Sequence, residues 1–177
     1  LSMMIGCQPV AADLFCGEGG VAHGLAVGGW EVRASDLMDS AHRTAHPRVQ
    51  FEQTDSLQVS LQGVHFATGS PPCQVHSTAK LMAGAEASTK HLDLIPDTRA
   101  KFLEAGIPYV IENVVGASQH LRSPLGLCGT MFGLQVARHR LFESSFGWSH
   151  VLSCNHQGMC MGGHAKFSKL DKDGNKY

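Results

Sequence analysis

The sequence predicts an α/β domain with a mostly parallel central sheet and flanking helices, and three features carry that expectation. Short apolar runs of β type alternate with helix-like stretches along most of the chain. The first run leads straight into a glycine-rich turn and then a helical segment. Later runs end on Asp36, just before Asp55, or in Gly69-Ser70-Pro71-Pro72-Cys73, at the carboxyl edge where α/β sheets bind their ligands.

In chain order, residues 10–15 form the first buried strand, and a helix follows near 21–27. Residues 30–35 form the second strand, a short helix covers 39–45, and 49–53 form the third strand. Residues 64–68 are the fourth strand. A helix over 97–105 stops at Gly106, with Pro108 just beyond. Residues 109–112 are a fifth strand, and 140–143 a sixth. No internal repeat is visible. From about residue 153 the chain turns polar and loses its apolar periodicity.

The bulk numbers set limits. A chain of 177 residues with 43% hydrophobic and 16% charged content suits one soluble globular domain with one core. Its apolar runs are broken by Gly, Pro or charge, so none is expected to span a membrane. No basic residue precedes an apolar segment at the N-terminus, so no secretory signal is expected. Position 1 is Leu, and Met3 or Met4 is the candidate natural start. Six cysteines without a paired framework suit a reducing cytoplasm. A net charge of −1 excludes a strongly basic nucleic-acid coat, so any DNA contact must come from a local patch.

Asp13-Leu14-Phe15-Cys16-Gly17-Glu18-Gly19-Gly20 joins strand to helix, and its glycines let a ligand approach the backbone. Asp36 stands where a ribose-binding acid belongs, and Asp55 is placed to accept from an adenine amino group. Taken alone, this unit fits S-adenosylmethionine (SAM), a dinucleotide, since Gly17-x-Gly19 precedes Ala22, or a tight turn with no ligand.

The turn Gly69-Ser70-Pro71-Pro72-Cys73-Gln74 separates these readings. Two prolines stiffen the backbone at a strand end and present a thiol at the carboxyl edge. Only a few per cent of an ordinary thiol is thiolate at neutral pH, and a helix N-terminus or nearby arginine raises that fraction. Cys7, Cys16 and Cys128 read instead as small buried hydrophobes.

With those residues in view, the chain resembles the DNA (cytosine-5) methyltransferases, particularly short phage-type and bacterial members. The resemblance covers residues 12–144 and follows the family's motif order. Asp13-Leu14-Phe15-x-Gly17-x-Gly19-Gly20 comes first, then Asp36, Asp55 and Pro71-Pro72-Cys73-Gln74, then Glu112-Asn113-Val114 and Arg138-His139-Arg140. Leu127-Cys128-Gly129-Thr130-Met131-Phe132-Gly133 looks like the compact members.

The resemblance implies a Rossmann-like SAM-dependent methyltransferase fold, with residues 1–150 as catalytic domain and 151–177 as a polar tail or the start of a C-terminal region. It also implies methyl transfer from SAM to carbon 5 of cytosine in double-stranded DNA by a monomer. The expected setting is the cytoplasm of a bacterial host, with restriction-modification or phage origin. Cys73 would attack carbon 6, Glu112 would protonate ring nitrogen 3, and Arg138 and Arg140 would support the flipped base and the loop bearing the thiol. Phe15, Gly17, Gly19, Gly20, Asp36, Asp55 and Pro72 would line the SAM pocket. The segment 75–91, with Ser77, Lys80, Ser88 and Lys90, is a candidate lid over DNA.

Two departures stand out. Val136 occupies the position where the family usually has Gln, and neither a target-recognition region nor the family's final segment is recognisable. Two alternatives keep the fold: a tRNA cytosine-5 methyltransferase, and a SAM-binding domain without turnover. An NAD-linked oxidoreductase fails because Pro-Pro-Cys and Glu-Asn-Val have no role in it. Cys154-x-His156-x3-Cys160-x3-His164 does not match common zinc modules, so no metal site is assigned.

Overall fold

Strand β1 (Val10–Leu14) is buried along nearly its whole length because it has parallel neighbours on both sides: β2 (Glu31–Asp36) and β4 (Phe66–Gly69). In the computed structural model, which describes residues 8–40, 45–73, 92–148, 152–156 and 160–161, β1 is the middle of a larger sheet. Beyond β2 lies β3 (Val49–Gln53), also parallel. Beyond β4 lies β5 (Tyr109–Asn113), again parallel. β6 (Leu125–Cys128) and β8 (His139–Ser144) complete a seven-stranded sheet in the order β3-β2-β1-β4-β5-β8-β6. β8 runs antiparallel to both of its neighbours, so it alone is reversed. A second small sheet pairs β7 (Val136–Ala137) with β9 (Cys160–Met161) in parallel.

Helix α1 (Gly20–Val27) lays Ala22 and Ala26 against Val32 and Ala34 of β2, and the small side chains let helix and sheet approach closely. Helix α2 (Ile95–Ala105) buries Ile95 and Phe102 completely over β4 and β5. This packing requires glycine at position 69: a Cβ there would lie 2.9 Å from Thr98 Cγ2 and 3.2 Å from Phe102 Cζ. α2 ends where Gly106 turns left-handed at φ 64°, as the sequence predicts, although it begins two residues earlier than expected, at Ile95.

The mostly parallel sheet and the places of the first five strands along the chain agree with expectation. The sixth expected strand proves to be the reversed β8, and β6, β7 and β9 were not anticipated. β6 is only four residues long, too short a run for periodicity to mark it as a strand in sequence. The fourth strand starts at Phe66 rather than 64, because Val64 belongs to the preceding turn. The expected helix over 39–45 falls largely on residues outside those described, and the candidate lid 75–91 lies wholly outside them. Among the described residues, no helix is long and apolar enough to cross a membrane.

Candidate active site

At the carboxyl end of β1 the chain turns sharply. Phe15 (φ 58°), Gly17 (φ 51°) and Gly19 (φ 79°) all adopt positive φ, and Gly19 directly precedes α1. Glycine takes this conformation freely, whereas Phe15 pays of order 1 kcal/mol for it. Asp36, at the tip of β2, holds the turn: Oδ2 accepts from the Gly17 amide at 2.9 Å and Oδ1 from the Met38 amide at 2.9 Å.

Ser56 closes the same edge, and sequence reasoning missed it. Its buried hydroxyl donates to Ser35 O at 3.0 Å, lies 2.9 Å from Ser35 Oγ, and accepts from the Phe15 amide at 3.0 Å. It therefore joins the ends of β1 and β2 to the turn after β3. No motif marks a lone serine for this role. Asp55, its neighbour, caps its own turn by accepting from the Leu57 amide at 3.0 Å, while the Thr54 amide donates to Asp36 O at 2.9 Å.

Beneath the turn, Asp13 is buried, with Oδ1 accepting from Thr68 Oγ1 at 2.9 Å and the backbone of Ala22 nearby. Burial drives its carboxyl up to about 6, against hydrogen bonds from Thr68 and the Ala22 backbone, with the Asp36 charge adding a little to the rise.

The Pro-Pro-Cys turn leaves β4 one strand away. The Ser70 amide donates to Leu14 O at 3.1 Å, fixing the turn to the end of β1. Asn113, buried at the end of β5, donates from Nδ2 to Pro71 O at 3.0 Å and accepts from the Val114 amide at 2.9 Å. Pro71 is buried, Pro72 exposed and Cys73 half-buried.

Glu112 and Arg140 meet because β8 is reversed. In a parallel strand the carboxyl edge receives the last residues, but β8 brings its first ones there, and the register sets Glu112 opposite Phe142. Side chains alternate across a strand, so Arg140 lies on the same face as Phe142, diagonal to Glu112. Arg140 Nε is 2.8 Å from Glu112 Oε1. Burial raises the Glu112 carboxyl above the ordinary range, although Arg140, the Ser70 hydroxyl and Arg138 all oppose the rise. Burial likewise lowers Arg140, but the guanidinium stays charged at any working pH. Arg140 also interacts electrostatically with Cys73. Arg138 is exposed and reaches Glu112 only through its charge.

The expected catalytic residues Cys73, Glu112 and Arg140 thus gather at one edge, with Arg138 at the rim. Phe15, Gly17, Gly19, Gly20 and Asp36 share the turn at the neighbouring strands. Asp55 stands one strand further out, turned to the Leu57 amide of its own turn. A Cβ on Gly17 or Gly20 would meet nothing within 4 Å, so the backbone of the turn is open there.

No family model matches this sequence, and no curated protein matches it. Solved structures do. DNMT2 of Spodoptera frugiperda, as a mutant, superimposes with a TM-score of 0.54 at 17% identity, covering 84% of this chain and 54% of that one. S. pombe Dnmt2 methyltransferase gives 0.49 at 16% identity, with coverage of 88% and 52%. The 1,6-didemethyltoxoflavin-N1-methyltransferase of Burkholderia thailandensis gives 0.46 at 15%, covering 77% and 70%. The sheet order and the S. frugiperda DNMT2 superposition give the chain the Rossmann-like fold of SAM-dependent methyltransferases. The chain spans about half the length of the Dnmt2 structures it matches.

Proposed function

We propose that this chain transfers a methyl group from SAM to carbon 5 of cytosine in DNA, with Cys73 as nucleophile. The observation that carries this reading is the Glu112–Arg140 contact at the carboxyl edge, on the strand whose Asn113 also holds the Pro-Pro-Cys turn, one strand from the glycine turn.

Carbon 5 of cytosine is a poor nucleophile. Addition of the Cys73 thiolate to carbon 6 turns it into an enamine carbon able to take an electrophilic methyl group. Charge then builds at ring nitrogen 3, and a Glu112 that keeps its proton to higher pH than an ordinary glutamate can neutralise it. Arg140 orients Glu112 through the 2.8 Å contact. Loss of the carbon 5 proton then expels Cys73. The target base must leave the duplex first, at a cost of a few kcal/mol.

SAM supplies the electrophilic methyl. Phe15, Gly17, Gly19 and Gly20 suit its amino-acid portion by offering open backbone at the start of α1. Asp36 suits its ribose: two of its acceptor sites are taken by the Gly17 and Met38 amides, and a carboxylate offers about four. Asp55 suits the adenine amino group, and Pro72 the wall beside Cys73.

The test is transfer of a labelled methyl group from SAM to duplex DNA and to tRNA, with Cys73→Ala as control. Label in DNA that vanishes in the variant supports the proposal. Label in tRNA alone moves the substrate to RNA, and SAM binding without transfer to either overturns the proposed activity.

A further inference from the structure

Far from the glycine turn, the structure draws together four side chains that the sequence spaces widely. Cys128 ends β6 and His139 begins β8, and the antiparallel register sets them directly opposite one another. The chain then returns past the hairpin, and Cys154 and His156 arrive on it. Cys128 Sγ lies 3.4 Å from His156 Nε2, and Cys154 Sγ lies 3.7 Å from His139 Nε2. The ligand atoms of Cys128, His139 and His156 all lie within 4.8 Å of one another. The His139 and His156 rings meet edge to face with centroids 4.9 Å apart.

We propose that Cys128, His139 and His156, whose ligand atoms already lie together, bind one structural zinc ion, and that Cys154, which approaches His139 from outside this group, moves in to close its shell. With Zn–S of about 2.3 Å and Zn–N of about 2.0–2.1 Å, a tetrahedral site has an S···N edge of about 3.6 Å. The two observed S···N separations, 3.4 and 3.7 Å, bracket that edge. Two thiolates and two imidazoles give the ligand set and softness that zinc prefers. Thr130 Oγ1 donates to Cys128 Sγ at 3.3 Å, the kind of outer hydrogen bond that steadies a ligating thiolate. Cys128 and His139 are buried, and Cys154 and His156 half-buried, so the ion sits at the sheet margin, where four protein ligands close its shell.

Sequence spacing hides the site, because only Cys154-x-His156 is local and its partners lie in the hairpin. The consequence is architectural. β8 presents His139 on one face and Arg140 on the other, so an ion on His139 would anchor the strand end that aims Arg140 at Glu112. It would also fasten the returning segment, which continues to β9 beside β7. This inference does not depend on the methyl-transfer reading.

The experiment is metal analysis of the full chain, expressed with zinc and purified without chelator, beside Cys154→Ser and His156→Ala. Neither variant touches the methyl-transfer residues or the fully buried core. One zinc per chain is expected in the parent and loss of it in both variants, with far-UV circular dichroism unchanged. Melting of the parent should become chelator-sensitive, and the cobalt-loaded parent should show thiolate charge-transfer absorption that Cys154→Ser weakens. A metal-free parent with chelator-insensitive melting would overturn the site. Zinc kept by both variants, or lost only in Cys160→Ser or His164→Ala, would overturn this ligand set.

Discussion

Asn113 donates to the carbonyl of Pro71 at 3.0 Å, so the strand that carries Glu112 also holds the turn that carries Cys73. On the proposed mechanism, acid and nucleophile are tied through one buried amide. Asn113→Ala removes the donor, leaves a buried carbonyl unpaired and opens a small cavity, at a cost of about 1–3 kcal/mol. A displacement of about 1 Å at a reacting group can cost about 100-fold in rate. The expected outcome is a loss of roughly that size in kcat, with SAM affinity nearly unchanged. Single-turnover methyl transfer beside equilibrium SAM binding checks it, and an equal loss in both would mean that Asn113 supports only the fold.

Glu112 should set the alkaline limit of the reaction. Burial raises its pKa, so the protonated form needed at nitrogen 3 persists above the ordinary glutamate range and is lost as pH rises through the folded value. Glu112→Gln removes the transferable proton and should slow methyl transfer by about 100- to 10,000-fold. The alkaline limb of the pH–rate profile should flatten with it. A variant that keeps the parent's alkaline limb would assign that limb to another group.

How much of this was legible depended on whether a residue's role is local. The glycine turn and the Pro-Pro-Cys turn are contiguous, because each must bend the backbone within a few residues, and both stand where the sequence put them. Asp36 ends its strand and Glu112 stands one residue before the end of β5, positions that apolar runs reveal. Ser56, the Thr68–Asp13 bond and the Arg99–Glu143 pair join residues 21 to 55 positions apart, and nothing local marks them. The reversal of β8, which brings Arg140 to Glu112, follows from topology rather than from any pattern within residues 139–144.

Asp13 stores a pH dependence opposite to that of most carboxylates. Its folded pKa of about 6 exceeds the reference 3.8, so the folded chain holds the proton more tightly than the unfolded chain. Its contribution to stability is fullest below the unfolded value and is lost as pH rises through the folded one. Asp13→Asn cannot titrate. The stability of the parent relative to that variant should therefore fall by about 2 kcal/mol from about pH 4 to about pH 7. Urea unfolding of both proteins without SAM reads this difference directly. A difference that stays flat with pH would mean that Asp13 is solvated in the folded chain.

Glu143 behaves in the opposite sense. It is buried, yet Arg99 Nε and an Arg99 terminal nitrogen each donate to it at 2.6 Å, the Arg122 amide at 2.7 Å and Tyr109 Oη at 3.1 Å. Burial alone would raise its carboxyl, but these donors hold it below the ordinary value, so its contribution is present above the unfolded pKa and lost as pH falls through the folded one. The pair joins α2 to β8 and, through Arg99 to His120 O at 2.6 Å, to the loop before β6. Glu143→Ala leaves the Arg99 cation buried and unpaired, which should destabilise the chain by about 3–5 kcal/mol at neutral pH. Replacing both partners, Arg99→Met with Glu143→Leu, removes the two charges together and should recover much of that loss. Equal melting points for the single and double variants would show that packing, rather than the stranded charge, accounts for the damage.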